Sequence, residues 1–123
     1  YSFWRFQHEA WRPIGACLEA AAELGFDGVE LLQRQLVDTS PEALHEIKRR
    51  AQALGLPLMG YSTHQGFVSP DAEVRQRNFE TTVECLEQAY RLGIPTMRVN
   101  SGTWGTRKNF DDLMAHRGLE EPL

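Results

Sequence analysis

The chain has 123 residues, a length that suits one domain, with 41% hydrophobic and 24% charged residues. It contains no run of 18 apolar residues, so we expect no membrane span, and its net charge of −4 argues against a nucleic-acid partner. Cys17 and Cys85 are too few for a disulfide framework and lack metal-ligand spacing. The first residues show no signal-peptide pattern, so we expect a cytoplasmic location, with an exported form already freed of its signal as the alternative.

The letters YSFW at residues 1–4 predict a first strand, and apolar residues then recur at helical spacing between Ile14 and Ala22, after Pro13. The connecting segment over residues 5–11 contains no glycine, which argues against the phosphate-binding loop of an open doubly wound fold. Aromatic and imidazole side chains cluster around it. They either shape a sugar pocket or pack the loop against the first helix. These side chains belong to Trp4, Phe6, His8 and Trp11.

A repeated motif ends each predicted helix. The letters LGF, LGL and LGI at residues 24–26, 54–56 and 92–94 place a glycine after the last apolar residue of a helical stretch. A left-handed backbone costs glycine little there. Each motif leads into a short, mostly apolar run that predicts a strand covered on both faces, over residues 28–32, 58–63 and 96–100. The glycines at positions 25, 55 and 93 lie 30 and 38 residues apart, a spacing typical of successive βα units.

The second and third helices carry start signals. Ser40 followed by Pro41 predicts the second, with Leu44, Ile47, Ala51 and Leu54 as its apolar stripe. The letters SPD at residues 69–71 introduce the third helix. Its predicted stripe, the face that we expect to pack against the sheet, is Phe79, Val83, Leu86 and Tyr90.

The predicted order β-α-β-α-β-α-β indicates a parallel sheet with right-handed crossovers. Residues 101–123 are expected to form a long loop with a short helical candidate over 110–115. Four strands and three helices fit an open α/β sheet or part of a (β/α)8 TIM barrel, which needs about 250 residues. Because the first loop lacks glycine, we favour a half barrel.

Three segments carry a family resemblance. The letters GFDGVEL (residues 25–31), THQGFVSPD (63–71) and RVNSG (98–102), in this order, resemble the xylose-isomerase-like TIM-barrel superfamily. That group includes sugar-phosphate isomerases and epimerases, with apurinic-site endonucleases as relatives. The resemblance extends from Tyr1 to about Trp104 and implies that residues 1–123 are the N-terminal half of one barrel domain.

The resemblance also implies a chemistry. Such isomerases hold a divalent metal (Mn, Mg, Zn or Co) that polarises a carbonyl while a proton moves between neighbouring carbons. Most of the metal ligands come from the fifth to eighth strands, which we expect beyond Leu123. The full-length protein is therefore expected to be a metal-dependent isomerase or epimerase of a small sugar, sugar phosphate or polyol, and this part alone to be inactive.

His64 and Glu30 are the candidate catalytic residues. His64 follows the third predicted strand, at the strand end where barrel enzymes place their chemistry, and the resemblance makes it a substrate contact or a candidate metal ligand. The alternative is a histidine bonded to a loop carbonyl. Glu30 lies in an apolar strand, where a carboxylate is costly to bury unless it is paired or ligating. Its alternative is an ion pair with Arg98 or Arg34.

Asn100, Trp104 and Trp4 are the candidate substrate-binding residues, since they follow predicted strands at the same barrel mouth. Trp104 either stacks on a sugar ring or lies over the mouth. Endonuclease-type relatives tend to place His-Pro-Gly where this sequence has Asn100-Ser101-Gly102. That departure removes one zinc ligand and makes a zinc phosphodiesterase the weaker hypothesis.

A non-catalytic role is the main alternative. A half barrel leaves its first and fourth strands as unpaired edges, which favour association. The chain would then be a fragment that needs a partner, or it would form a homo-oligomer through its exposed edges.

Overall fold

The computed structural model describes residues 13–69 and 71–100, and these residues form alternating helices and strands. The elements in chain order are helix α1 (Ile14–Glu23), strand β1 (Val29–Leu32), a 3₁₀ turn (Gln33–Gln35), helix α2 (Pro41–Ala53), strand β2 (Leu58–Ser62), helix α3 (Ala72–Leu92) and strand β3 (Met97–Arg98). None of the described helices is long and apolar enough to span a bilayer.

The three helices end in the same backbone motif, as the repeat predicts. Gly25, Gly55 and Gly93 have φ angles of 76°, 66° and 73°. In each case the glycine N–H bonds to the carbonyl three residues earlier, and the next residue's N–H bonds to the carbonyl five residues earlier. This paired arrangement is the Schellman motif, which satisfies the last carbonyls of a helix. The motif turns the chain from each helix towards the following strand.

The helix starts also follow the sequence. Ser40 caps α2, since its Oγ accepts a hydrogen bond from the Ala43 N–H at 3.3 Å. Asp71 caps α3 by accepting from the Glu73 N–H at 2.8 Å. Such side chains satisfy backbone donors that the first turn of a helix leaves unpaired.

The described strands form one parallel sheet in the order β1-β2-β3. Leu31 lies opposite Tyr61, and Tyr61 lies opposite Met97, so these three residues occupy one face of the sheet. Leu31 and Tyr61 belong to a buried core that contains residues from all three helices, and Met97 packs against that core. The helices therefore cover one face, as in a barrel wall and unlike a doubly wound sheet, which carries helices on both. The prediction that both strand faces are covered holds for β2, where Gly60, Tyr61 and Ser62 are all buried, but not for β1, where Glu30 on the opposite face is exposed.

The prediction for the packed face of α3 is also wrong. Tyr90 is 86% exposed and Leu86 51%, whereas Leu92 is 1% exposed, and the other two residues of the predicted stripe, Phe79 and Val83, are exposed as well. The buried stripe consists of Cys85, Ala89 and Leu92. Because Cys85 and Ala89 are small, α3 packs closely against the sheet side chains that fill the core.

Three of the four predicted strands are described, and the predicted first strand over residues 1–4 lies outside the described residues, as does the expected loop over 101–123. The count of four strands therefore stays a prediction. The described part is a parallel α/β sheet of three strands with three helices.

Candidate functional site

The sheet face opposite the helices is polar. Ser62 lies opposite Leu32 in β1 and opposite Arg98 in β3, and Glu30 lies two residues before Leu32. Because side chains alternate along a strand, Glu30, Ser62 and Arg98 share the face that a closed barrel encloses. Three neighbouring strands thus each contribute one polar side chain to this face.

Glu30 pairs with a hydroxyl across the sheet. The Ser62 O–H donates a hydrogen bond to the Glu30 carboxylate. Gly60 makes room for this side chain, since a Cβ at that position would lie 3.1 Å from the Glu30 Cγ. The expected burial and the alternative ion pair are both wrong: Glu30 is exposed and lies within 4 Å of neither the Arg98 nor the Arg34 guanidinium. The carboxylate is therefore held by a neutral donor and remains open to solvent.

His64 contacts Arg98. The Arg98 Nη2 lies 2.9 Å from the His64 Nε2 and also donates to the Thr63 carbonyl at 3.4 Å. The Thr63 hydroxyl in turn donates to the Arg98 carbonyl at 2.7 Å. A guanidinium has donors and no acceptor, so the His64 Nε2 must accept and the ring proton of the neutral imidazole lies on Nδ1. This tautomer follows from the hydrogen-bond pattern.

The electrostatic surroundings favour a neutral imidazole. Burial lowers the pKa of His64 below its ordinary value, and the positive charges of Arg98 and then Arg34 lower it further. A depressed pKa leaves the ring uncharged at neutral pH. In this state Nε2 is engaged by Arg98, and the ring proton lies on Nδ1, which is buried.

A small pocket lies beside His64, between the 3₁₀ turn and α3. Its volume is about 70 Å³, and its lining residues are Gln33, Arg34, Thr63, His64, Gln65, Asn78, Thr81 and Cys85. Gln65 is held by α3, since its Nε2 donates to the Thr82 Oγ1 at 2.9 Å. The Asn78 Nδ2 donates to the Gly66 carbonyl at 2.5 Å and fixes the loop that follows.

The structure brings the candidate residues together only in part. Glu30 and His64 belong to two separate hydrogen-bonded pairs, and Asn100 is half-buried two residues after Arg98. Trp4 and Trp104 lie outside the described residues. The roles predicted for these five residues stay predictions.

Both cysteines are buried. Burial raises the pKa of both the Cys17 and the Cys85 thiol, which disfavours the reactive thiolate. Over residues 13–69 and 71–100, no three side chains among His, Cys, Asp and Glu form a group that could hold a metal ion.

Sequence reasoning missed Ser62 and Gln65. Ser62 could have been found from strand alternation, which places it on the same face as a carboxylate in the neighbouring strand. Gln65 directly follows His64 and carried no signal of its own, because its role depends on contacts with α3, which follows later in the chain.

The comparisons with known proteins agree with the fold. The family model described as xylose isomerase-like TIM barrel matches residues 18–120. D-psicose 3-epimerase of Ruminiclostridium cellulolyticum is 29% identical over 97 residues, which are 76% of this chain and 32% of that protein. A crystal structure of D-psicose 3-epimerase with D-tagatose from Clostridium cellulolyticum H10 superimposes with a TM-score of 0.61 at 26% identity, over 69% of this chain and 30% of that one. The chain thus spans about a third of the length of these relatives. It belongs to the xylose isomerase-like TIM-barrel family.

Proposed function

We propose that the protein containing this chain is a sugar epimerase or isomerase, and that residues 1–123 form the N-terminal half of its single barrel domain. The observation that carries the proposal is the polar sheet face of a chain in this family, where the Glu30–Ser62 pair links β1 to β2 and the His64–Arg98 pair links the end of β2 to β3. Catalytic groups of barrel enzymes gather at the carboxyl ends of the strands, where Ser62, His64 and Arg98 lie.

The proposed substrate is a small polyhydroxylated ketone. The similar relative is named D-psicose 3-epimerase, and the similar solved structure is a D-psicose 3-epimerase with D-tagatose, so a ketohexose is the first substrate to test. Asn100 of this chain, with Trp4 and Trp104, is proposed to contact the sugar at the barrel mouth.

The proposed reaction removes and returns a proton at a carbon next to the carbonyl. Glu30 is the proposed proton acceptor, because its carboxylate is solvent-accessible and already oriented by the Ser62 hydroxyl. His64 is proposed to line the site with its neutral ring, which the bond between its Nε2 and Arg98 holds in place. Arg98 adds positive charge next to the site, which favours developing negative charge on a substrate oxygen.

A divalent metal is the proposed cofactor of the full-length protein, with its main ligands beyond Leu123. The residues in the described ranges do not fit a metal by themselves. They contain no cluster of three suitable ligands, and the His64 nitrogen that could bind a metal faces an arginine N–H.

The test is to express the complete reading frame that contains this chain and to incubate it with D-psicose in the presence of Mn²⁺, Mg²⁺, Co²⁺ or Zn²⁺. We expect an epimeric ketohexose by chromatography and, in D₂O, deuterium at the epimerised carbon. Glu30→Gln should lower kcat by about 100-fold or more, as expected for loss of an acid–base group. The matched control is Glu46→Gln on α2, whose carboxylate pairs with Arg49 on an exposed helix face. No exchange with any ketohexose and metal would overturn the proposal.

A second candidate is the non-catalytic fragment that associates with a partner. The exposed apolar side chains of α3 and the edge strands of the described sheet favour it. Sedimentation of the 123-residue chain tests it: a stable dimer supports self-association, and a monodisperse monomer contradicts it.

A further inference from the structure

The described helices contact one another through side chains at equivalent positions. Glu19 directly follows a buried residue of α1, and its carboxylate forms an ion pair with Arg50 of α2. Lys48 directly follows a buried residue of α2, and its Nζ lies 3.1 Å from the place of a Cβ on Gly93, at the end of α3. Because a helix turns about 100° per residue, the residue after a buried one lies on a flank of the helix. In α1 and in α2 this flank faces the next helix.

On α3 the same flank is apolar. Four positions along one side of α3 are buried or half-buried: Asn78, Thr82, Cys85 and Ala89. Each is followed directly by an exposed apolar residue, and these residues form what we call the α3 flank: Phe79, Val83, Leu86 and Tyr90. Their spacing of four, three and four residues is the heptad spacing of helices that pack side by side. The equivalent flank of α2 is polar and consists of His45, Lys48 and Gln52.

The α3 flank lies at the end of a row of helices. α2 contacts both α1 and α3, so α3 is the last helix of the described part. β3 is likewise the last strand of the described sheet, and Val99, directly after it, is exposed as well. Because the equivalent flanks of α1 and α2 face the following helix, the α3 flank faces the place of a further helix. A contiguous patch of exposed apolar side chains is typical of such a contact surface.

The polypeptide after β3 is a better source of this helix than a second copy of the chain. Residues 101–123 continue from β3, and the relatives extend over about two thirds of their length outside the part that this chain matches. In a (β/α)8 barrel each strand is followed by a helix of the outer ring. Antiparallel packing of two α3 helices would bring Glu80 of one copy near Glu87 of the other, and like charges at such positions are destabilising.

We propose that the α3 flank is the contact surface for the first helix after β3 in the complete protein. That helix presents apolar residues at heptad spacing to the α3 flank and carries Lys or Arg opposite Glu80 and Glu87. The contact is apolar, whereas the contacts of α2 with α1 and α3 include charged side chains. The proposal rests on the part of the proposed function that makes residues 1–123 one half of a barrel, and it does not depend on Glu30 or His64.

The test measures the accessibility of the α3 flank in the complete protein. Tyr90→Cys places a thiol on the flank, and Arg91→Cys, at the exposed next residue, is the matched control, since Cys17 and Cys85 are buried. A charged thiol reagent should react about 30-fold more slowly with Tyr90→Cys than with Arg91→Cys in the native protein, and equally fast with both in urea. Equal rates in the native protein would leave the flank in contact with water and overturn the proposal.

Dilution separates the two sources of a covering helix. Protection of Tyr90→Cys that is unchanged over about a hundredfold dilution supports a helix of the same polypeptide, because an intramolecular contact does not depend on concentration. Protection that disappears as the protein dissociates on dilution would assign the flank to a second copy and overturn the proposal.

Urea unfolding of the complete protein provides a second measurement. Leu86→Ala should raise the unfolding equilibrium constant about 30-fold or more, because truncation of a covered leucine leaves a cavity. Glu84→Ala, at an exposed position of the same helix, is the control and should change it less than about threefold. Equally small effects of both variants would contradict the covering helix.

An assay with a ketohexose separates this inference from the proposed reaction. A complete protein that protects Tyr90→Cys but turns over no ketohexose would remove the epimerase and leave the contact surface standing. An active protein in which Tyr90→Cys reacts as fast as Arg91→Cys would overturn the contact surface and leave the epimerase.

Discussion

Arg98 from β3 occupies the ring nitrogen of His64 that would otherwise be available as a base. The Nη2–Nε2 distance is 2.9 Å, and the same guanidinium also donates to the carbonyl of Thr63, the residue before His64. One arginine therefore sets both the tautomer of the ring and the position of the backbone that carries it.

The first prediction concerns Arg98→Met. Removing the guanidinium should raise the pKa of His64, because a nearby positive charge disfavours the imidazolium, and should free Nε2 so that both tautomers are populated. Side-chain ¹⁵N shifts measured over pH 4 to 8 report both effects. The matched control is Arg34→Met, which removes a charge near His64: it should raise the pKa less and leave the tautomer unchanged. An unchanged tautomer in Arg98→Met would contradict the assignment.

The lowered pKa of His64 also predicts that the free energy of unfolding changes with pH. Burial, Arg98 and Arg34 place the folded pKa of His64 below its unfolded value of about 6.5. The unfolded chain therefore binds the proton first on acidification, so stability falls as pH drops through about 6.5 towards the folded pKa. Urea unfolding at pH 7.5 and 5.5 should show a smaller loss for Arg98→Met than for the wild-type chain.

The second prediction separates the two apolar stripes of α3. Leu92→Ala should cost about 2–5 kcal/mol, because Leu92 is 1% exposed and its truncation leaves a cavity in the core. Leu86→Ala should change the stability of the chain by less than about 0.5 kcal/mol, because that side chain is 51% exposed. Urea unfolding of both variants measures the difference, and equal losses would place Leu86 in the core.

These stripes show where sequence reasoning stops. Periodicity locates a helix and its apolar residues, but α3 carries two apolar stripes, and the larger side chains of the predicted one lie outside the core. Packing determines which stripe is buried, since Cys85 and Ala89 are small enough to pack in the core with Tyr61 and its neighbours. Glycine positions, helix starts and strand order depend on local chemistry, and the sequence therefore predicts them well.

In the candidate site, too, the sequence identifies single residues but not the partners that they contact. His64 and Glu30 are visible in the sequence because a polar residue in or directly after an apolar strand is a local anomaly. The partners of these residues are not local: Ser62 comes from the next strand, and Arg98 is 34 residues from His64. Only the register of the sheet selects these pairs.

The third prediction tests the helix ends. Gly55 has φ 66° with no other atom within 4 Å of an added Cβ, so Gly55→Ala should cost about 1–2 kcal/mol through backbone conformation alone. The control is Gly15→Ala in the first turn of α1. There alanine is the better helix former, and the three atoms nearest to the added Cβ belong to the end of the Arg50 side chain, which can shift. Gly15→Ala should therefore be neutral or stabilising; a similar loss in both variants would contradict the left-handed assignment.

The fourth prediction concerns alkaline pH. Tyr61 is fully buried, its hydroxyl donates to the Gln88 Oε1 at 2.6 Å, and burial, with a smaller contribution from Cys85, raises the pKa of Tyr61 well above its usual range. The unfolded chain thus loses this proton first, at a pH of about 10, and stability falls as pH rises above that value. Tyr61→Phe should lose about 1 kcal/mol at pH 8, where a hydrogen bond is removed, and show a shallower decline between pH 9.5 and 11. Tyr90→Phe on the exposed face is the control, and parallel declines for all three proteins would argue against the prediction.

The alternation of the strands has a consequence for how this protein can change over evolutionary time. Leu31, Tyr61 and Met97 hold the sheet to its helices, while Glu30, Ser62 and Arg98 occupy the positions between and beside them and contribute nothing to that core. A substitution at the exposed Glu30 therefore changes the chemistry of the polar face while the side chains that join the sheet to its helices stay in place. The attachment of the wall and the charge that it presents can thus vary independently.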